Sequence, residues 1–183
     1  MEFAETDIPD VKIVRLRATV DHRGSFSETY RRDLFIDNGI HDAFVQDNQS
    51  YSVHEGTVRG LHYQVPPHQQ AKLVRVLRGA VLDVAVDIRK ASPSFGKHVA
   101  IELSADNGLA LYIPAGFAHG FMTLSRHAEV SYKVSDYYAP DHDRGVLWSD
   151  PDLAISWPHM EKPPILSHRD KHLPLLRDCP LVF

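Results

Sequence analysis

Cysteine is almost missing from this chain. Its 183 residues include only Cys179, so no intrachain disulfide can form. That fits a reducing cytosol better than an oxidising compartment. No apolar run approaches the ~20 residues that span a bilayer, so no membrane association is expected. The first residues are acidic and lack an apolar h-region, so no signal peptide is expected. No Lys/Arg run forms a basic stripe, and the net charge is -4, which argues against nucleic acid as a partner. Internal repeats, low-complexity tracts and linkers are absent as well, so residues 1–183 read as one domain. Apolar content of 43% is enough for a sizeable core. What the chain has in quantity is histidine: twelve residues, which raises the question of metal.

Short turns punctuate the middle of the chain: Pro66-Pro67, Arg78-Gly79, Ser92-Pro93, Asp106-Asn107-Gly108 and Pro114-Ala115-Gly116. Between them lie LVRVL, VLDVAVDI, HVAIEL, LALYI, GFMTL and AEVSYKV. That spacing predicts an all-β sandwich or barrel rather than βαβ units, and a jelly roll suits the number of strands. Val11–Val20 alternates and predicts one strand with Val14, Leu16, Ala18 and Val20 on a common face. After the Asp21–Gly24 turn, Phe26–Tyr30 predicts another, with Phe26, Glu28 and Tyr30 sharing a face. Arg31–Asn38 predicts a short helix stopped by Asn38-Gly39. A helix is expected again in the C-terminal tail, around Leu166–His172.

The chemistry concentrates in Val58–Asp87. His62 stands at the mouth of two strands joined at Arg78–Gly79, Lys72 opens the first strand, and Asp83 lies in the second. A base, a cation and a carboxylate on neighbouring strands can move protons. Gly108 to His119 fits the second cupin signature: glycine, five residues, then P-x-G-x-x-H. The first cupin signature would supply an H-x-H pair and a glutamate, but those positions fall on Pro66, His68 and Lys72. An ammonium where a carboxylate ligand belongs repels a cation, and proline offers no donor. The expectation is a barrel with neither metal nor other cofactor.

In AEVSYKV, Val130, Tyr132 and Val134 share one face, so Tyr132 points inward and its hydroxyl needs a partner. A core tyrosine bonded to backbone would give the same pattern. Arg59 and His62 would face opposite sides of a regular strand; both reach one ligand only if Gly60 marks a bulge or the strand starts late. Phe44–Ser52 is polar for a strand, so it either faces water or lines a polar pocket.

Eight segments in order carry a resemblance: DHRGSFSETY, FVQDNQSYS, RGLHYQ, KLVRVLRGAVLDVAVDIRKASPSFG, IPAGFAHGF, YKVSDYYAP, WSDPDLAISWP and LSHRD. With them the chain resembles the dTDP-4-dehydrorhamnose 3,5-epimerases, metal-free cupins of the RmlC type, from Ile13 to Pro174. The resemblance implies a cupin-type double-stranded β-helix, a jelly roll with short helices at its edges and C-terminus. It implies a cytoplasmic homodimer with strand exchange, acting on a dTDP-linked 4-keto-6-deoxy sugar. By it, His62 is the general base, Asp170 its orienting partner, Tyr132 the general acid and Lys72 the cation beside O4. Arg23, Phe26 and Glu28 are nucleotide contacts, offered partly to the neighbouring subunit. Gln46, Asp47, Asn48, Gln49, Arg59, His119, Tyr138 and Arg169 are further substrate contacts. Asp83 would keep Lys72 charged. The family pattern often has glutamate where this chain has Asp143, followed by Arg144. A mono-epimerase acting at C3 or C5 alone fits the same residues, as the base and acid would be shared. A binding module without turnover, or a metal cupin oxygenase, is the reading from another class.

Overall fold

The computed structural model describes residues 1–180 and 183. Thirteen strands appear among the described residues. Six form one antiparallel sheet, in the order β1 (Glu2–Glu5), β2 (Lys12–Arg15), β10 (Leu109–Ile113), β7 (Lys72–Arg78), β12 (Ala128–Val134) and β5 (Gln46–Ser52). Five form a second: β13 (Asp143–Gly145), β6 (Val58–Gln64), β11 (Phe117–Thr123), β8 (Ala80–Asp87) and β9 (His98–Ser104). A separate hairpin pairs β3 (Ala18–Asp21) with β4 (Gly24–Ser27). Among the described residues, no helix is long and apolar enough to cross a membrane.

The two large sheets face each other as a jelly roll. Alternation along each strand sends one row of side chains between the sheets and the other row outward. Val74, Val76, Leu111, Ile113 and Val130 from the six-stranded sheet meet Val81, Ala85, Leu103, Phe117 and Phe121 from the five-stranded one. The outward row of the five-stranded sheet is not solvated either. Leu61, Tyr63, Val84 and Val86 are covered by Val146, Leu153 and Leu176 from the C-terminal segments. Helix α1 (Arg32–Asp37) sets Phe35 against Val14, Leu73, Ala110 and Tyr112 on the back of the six-stranded sheet. At roughly 25 cal/mol per Å² of apolar surface buried, these three clusters hold the barrel walls in place.

Three local expectations are corrected. The Val11–Val20 strand is broken at Leu16-Arg17 into β2 and β3, and Val20 is 74% exposed rather than on the buried face with Val14. Phe26–Tyr30 does not run on as a strand: β4 ends at Ser27, and Phe26 is 75% exposed on the hairpin. A hairpin standing off both sheets has no core against which to turn its apolar row. In the tail, only a 3-10 turn at Asp170–His172 forms where a helix was expected, and a second follows at Leu176–Asp178. Helix α1 and the stop at Asn38-Gly39 are as expected, with Gly39 at φ +79°.

Candidate active site

The interior between the sheets is apolar at one end and polar at the other. The polar end is a cavity of about 140 Å³ lined by Gln46, Asn48, His62, Gln64, Lys72, Tyr132, Tyr138 and Asp143, among others. Broader clefts of about 700 and 890 Å³ lie along the Trp148–Ile165 segment, and neither is lined by His62, Lys72 or Tyr132. The expected base, acid and cation gather in the smaller space.

His62 reaches it from β6. The bulge that Arg59 required is present. Across the β6–β11 pair, His62 lies opposite His119 and Arg59 opposite Phe121, so three steps on β6 match two on β11. Cross-strand partners share a face, and both His119 and Phe121 are buried on the interior side. Arg59 and His62 therefore both point inward. Glycine makes the crossing possible: a Cβ on Gly60 would stand 2.5 Å from the Gly120 Cα, and one on Gly120 would stand 2.6 Å from the Arg59 carbonyl oxygen. Arg59 donates to the Ser52 hydroxyl at 3.2 Å and to the Tyr51 carbonyl at 3.1 Å, and its charge acts on Tyr132.

Asp170 is 4% exposed, not a solvated loop carboxylate, and its Oδ1 lies 2.7 Å from His62 Nε2. A carboxylate in its ionised form only accepts, so Nε2 carries the proton and Nδ1 is left as the basic nitrogen. Burial pushes the Asp170 carboxyl up, but the bonds from His62, the Gly60 N–H and Ser167 outweigh it, and the net pKa is lowered. Asp170 stays charged and fixes the ring.

Lys72 faces the cavity from β7, and its Nζ donates to the His62 carbonyl at 3.3 Å. Burial lowers its pKa from 10.5 to about 8, against the fields of Asp143 and Asp83, which raise it. Asp83 acts on Lys72 through its field alone. Its Oδ1 accepts from His119 Nε2 at 2.8 Å, and its buried Oδ2 has no hydrogen-bond partner among the described residues. Burial lowers the His119 pKa, with Asp83 opposing, so a neutral imidazole stands behind His62.

Tyr132 enters from β12, on the wall opposite β6, and packs against the apolar cluster. Burial raises its hydroxyl pKa. No backbone group engages that hydroxyl among the described residues, unlike a core tyrosine. Asp143, the shorter acid at the family's glutamate position, accepts from Arg169 Nη1 at 2.6 Å and from the Tyr138 hydroxyl at 3.2 Å. Those three groups close one side of the cavity.

Profile comparison matches residues 5–178 to the dTDP-4-dehydrorhamnose 3,5-epimerase family. The chain belongs to that family. It is 49% identical over 183 residues to a dTDP-4-dehydrorhamnose 3,5-epimerase of Sinorhizobium fredii, which spans 100% of this chain and 93% of that protein. Its fold matches, with a TM-score of 0.93 at 44% identity, the crystal structure of the Legionella pneumophila dTDP-6-deoxy-D-glucose-3,5-epimerase RmlC in complex with dTDP-4-keto-L-rhamnose. That match covers 97% of this chain and 93% of the other. A dTDP-4-dehydro-6-deoxyglucose 3-epimerase from a Streptomyces species is 40% identical over 156 residues, 85% of this chain and 79% of that protein.

Not every expected substrate contact of this epimerase-family chain lies at the cavity. The run Gln46–Gln49 is split by strand alternation. Gln46 and Asn48 face in, whereas Asp47 turns outward to an ion pair with Lys133 at 2.8 Å and Gln49 turns outward to Glu129. Arg23, Phe26 and Glu28 are on or next to the β3–β4 hairpin, away from His62. Arg23 pairs with Asp21 at 2.6 Å and Glu28 lies 3.8 Å from Arg31. Gln64 and Gln70 line the cavity and were not singled out from the sequence. The signal for Gln64 was available: it stands two residues after His62, hence on the same face of β6.

Proposed function

We propose that this chain inverts C3 and C5 of dTDP-4-dehydro-6-deoxy-D-glucose, giving dTDP-4-dehydro-L-rhamnose. The observation that carries the reading is the pairing of His62, oriented by Asp170, with Tyr132 on the opposite wall, and Lys72 between them. The C4 ketone acidifies the neighbouring C–H bonds. His62 Nδ1 takes the proton from C3, and the electron pair moves into the enolate with its charge on O4. The Lys72 ammonium stabilises that charge where it develops. Tyr132 then gives its hydroxyl proton to the same carbon from the far face, which inverts the centre, and solvent restores both groups. The sequence repeats at C5. Burial keeps Tyr132 protonated as an acid, and Lys72, although burial lowers it to about 8, is mostly charged at neutral pH.

A cavity of about 140 Å³ holds a small ring. It is well below the ~300–1,000 Å³ of a drug-sized ligand site, so the nucleotide lies outside it, along Tyr138, Asp143 and Arg169. Arg59 takes a phosphate oxygen, with fork geometry suited to the task. Arg23, Phe26 and Glu28 reach the site of a second copy, so the working form is a homodimer that exchanges its β3–β4 hairpin. The 183 residues act as a single cupin domain in the cytoplasm.

The test is solvent-deuterium wash-in at C3 and C5 of the keto-sugar, followed by NMR of the product. Purified protein should label and invert both carbons, and His62→Asn should abolish labelling at both. Failure of the wild-type protein to label either position would end the proposal. The 40% identical Streptomyces 3-epimerase favours a second reading, epimerisation at one carbon only. One inverted centre in the product would establish it.

A further inference from the structure

The segment Asp136–Ala139, which carries Tyr138 to the mouth of the cavity, belongs to no strand. Its backbone groups still need partners, as any such groups near a closed interior do. Three glutamine side chains supply them. Gln70 Nε2 donates to the Asp136 carbonyl at 2.7 Å. Gln64 Nε2 donates to the Tyr137 carbonyl at 3.1 Å, and Gln46 Oε1 accepts from the Tyr138 N–H at 3.1 Å. Gln64 Oε1 accepts from the Ala139 N–H at 2.8 Å. Gln64 also donates to the His68 carbonyl at 2.6 Å, so one side chain joins the segment to the loop after β6. It is 4% exposed and its amide is fully engaged. All three glutamines line the same cavity as His62 and Tyr132.

We infer that Gln64 is a positioning residue for ligand binding: through the Tyr137, Ala139 and His68 backbone groups it holds Tyr138 at the distance at which it meets a nucleotide-linked sugar. Gln64 does not touch the reacting carbons. It acts by fixing the Asp136–Ala139 segment beside the mouth of the site. From Asp143 on, the chain is fixed to β6 by the β13 ladder, whereas Asp136–Ala139 has no ladder. Side-chain amides hold the segment instead. Gln46, expected as a substrate contact, is here engaged by the Tyr138 N–H, and it shares the task. The inference rests on the proposed epimerase reading.

Two variants test it, with calorimetric dTDP affinity and the deuterium wash-in assay as readouts. Gln64→Leu has no polar group to offer the Tyr137, Ala139 and His68 backbone. The expected result is a drop in kcat/KM of about tenfold or more, chiefly in KM, with dTDP affinity falling in parallel. Gln64→Glu tests the same point if the leucine variant does not fold. Protonated, glutamate has one donor and one acceptor, close to glutamine; ionised, it repels the two carbonyls. Its dTDP affinity should approach wild type near pH 5 and fall as the pH rises. The His68–Asp136 pair stands beside it, so each value is compared with wild type at the same pH. A folded Gln64→Leu with unchanged KM and dTDP affinity overturns the inference, as does a Gln64→Glu protein whose affinity follows the wild-type pH profile. Absence of wild-type wash-in sinks the epimerase reading instead, while a loss of dTDP affinity in the variants would still place Gln64 in ligand positioning.

Discussion

Lys72 should set the alkaline limit of activity. Its Nζ is buried in the cavity wall, and desolvation brings its pKa from 10.5 to about 8. That lowering corresponds to roughly 3 kcal/mol of penalty on the charged form, at 1.36 kcal/mol per pH unit. The ammonium is the form that steadies a negative O4, so kcat/KM should halve near pH 8 and fall tenfold for each further unit. Tyr132 does not confuse the limb, since its hydroxyl is raised from 10 and titrates later. A bound diphosphate adds negative charge nearby, so the limb in kcat should lie at higher pH than the limb in kcat/KM, which reports the free enzyme. Lys72→Met keeps the length of the side chain and loses the charge. It should lower kcat by about 10²–10³, the scale of one lost donor to a developing oxyanion, and what remains should no longer bend near pH 8. The assay is deuterium wash-in by NMR between pH 6 and 10, with the hydroxide-catalysed rate subtracted. A wild-type profile flat to pH 10, or an unchanged limb in the methionine variant, would refute the assignment of that limb to Lys72.

Tyr132→Phe should keep part of the wash-in but lose inversion, because proton removal survives and delivery from the far face does not; a product inverted at the normal rate would exclude this acid. Asp170→Asn should lower kcat by about 10²–10⁴, within the range of a positioned base, since the amide no longer selects the Nδ1-basic tautomer. The depressed carboxyl of Asp170 also stabilises the fold above the ordinary carboxylate range, a contribution lost as pH falls through its folded-state value, so denaturant midpoints of wild type and variant should converge in acid. Gly60→Ala should cost about 3 kcal/mol or more, from backbone overlap and from φ +121°; a denaturant midpoint equal to wild type would show that the crossing yields.

How far the sequence was legible depends on which interactions were local. Ala128–Val134 reads to the residue, since both its inward valines and its outward charges follow one period. Val11–Val20 misreads because alternation survives a change of direction: nothing in Leu16-Arg17 announces that the chain leaves the sheet there. Asp47 and Gln49 were grouped with Gln46 and Asn48 by the family motif, although the period-2 rule already divides them. Asp170 is the opposite case. Its local pattern says only that it lies in the C-terminal tail, and its engagement comes from a partner 108 positions away. Arg59 needed a bulge that Gly60 permits but does not announce, because the second glycine of the crossing, Gly120, lies on another strand.

The crossing at Gly60 and Gly120 has an evolutionary consequence. The orientation of the base depends there on a count of residues rather than on a pattern of them. Polar and apolar side chains near it can drift without turning the imidazole away, whereas losing a single residue between Val58 and His62 would remove the extra step and turn the ring toward the covered back of the sheet. The barrel could remain folded with its chemistry inside out, so the number of residues from Val58 to His62 should be as constrained as the identity of the base itself.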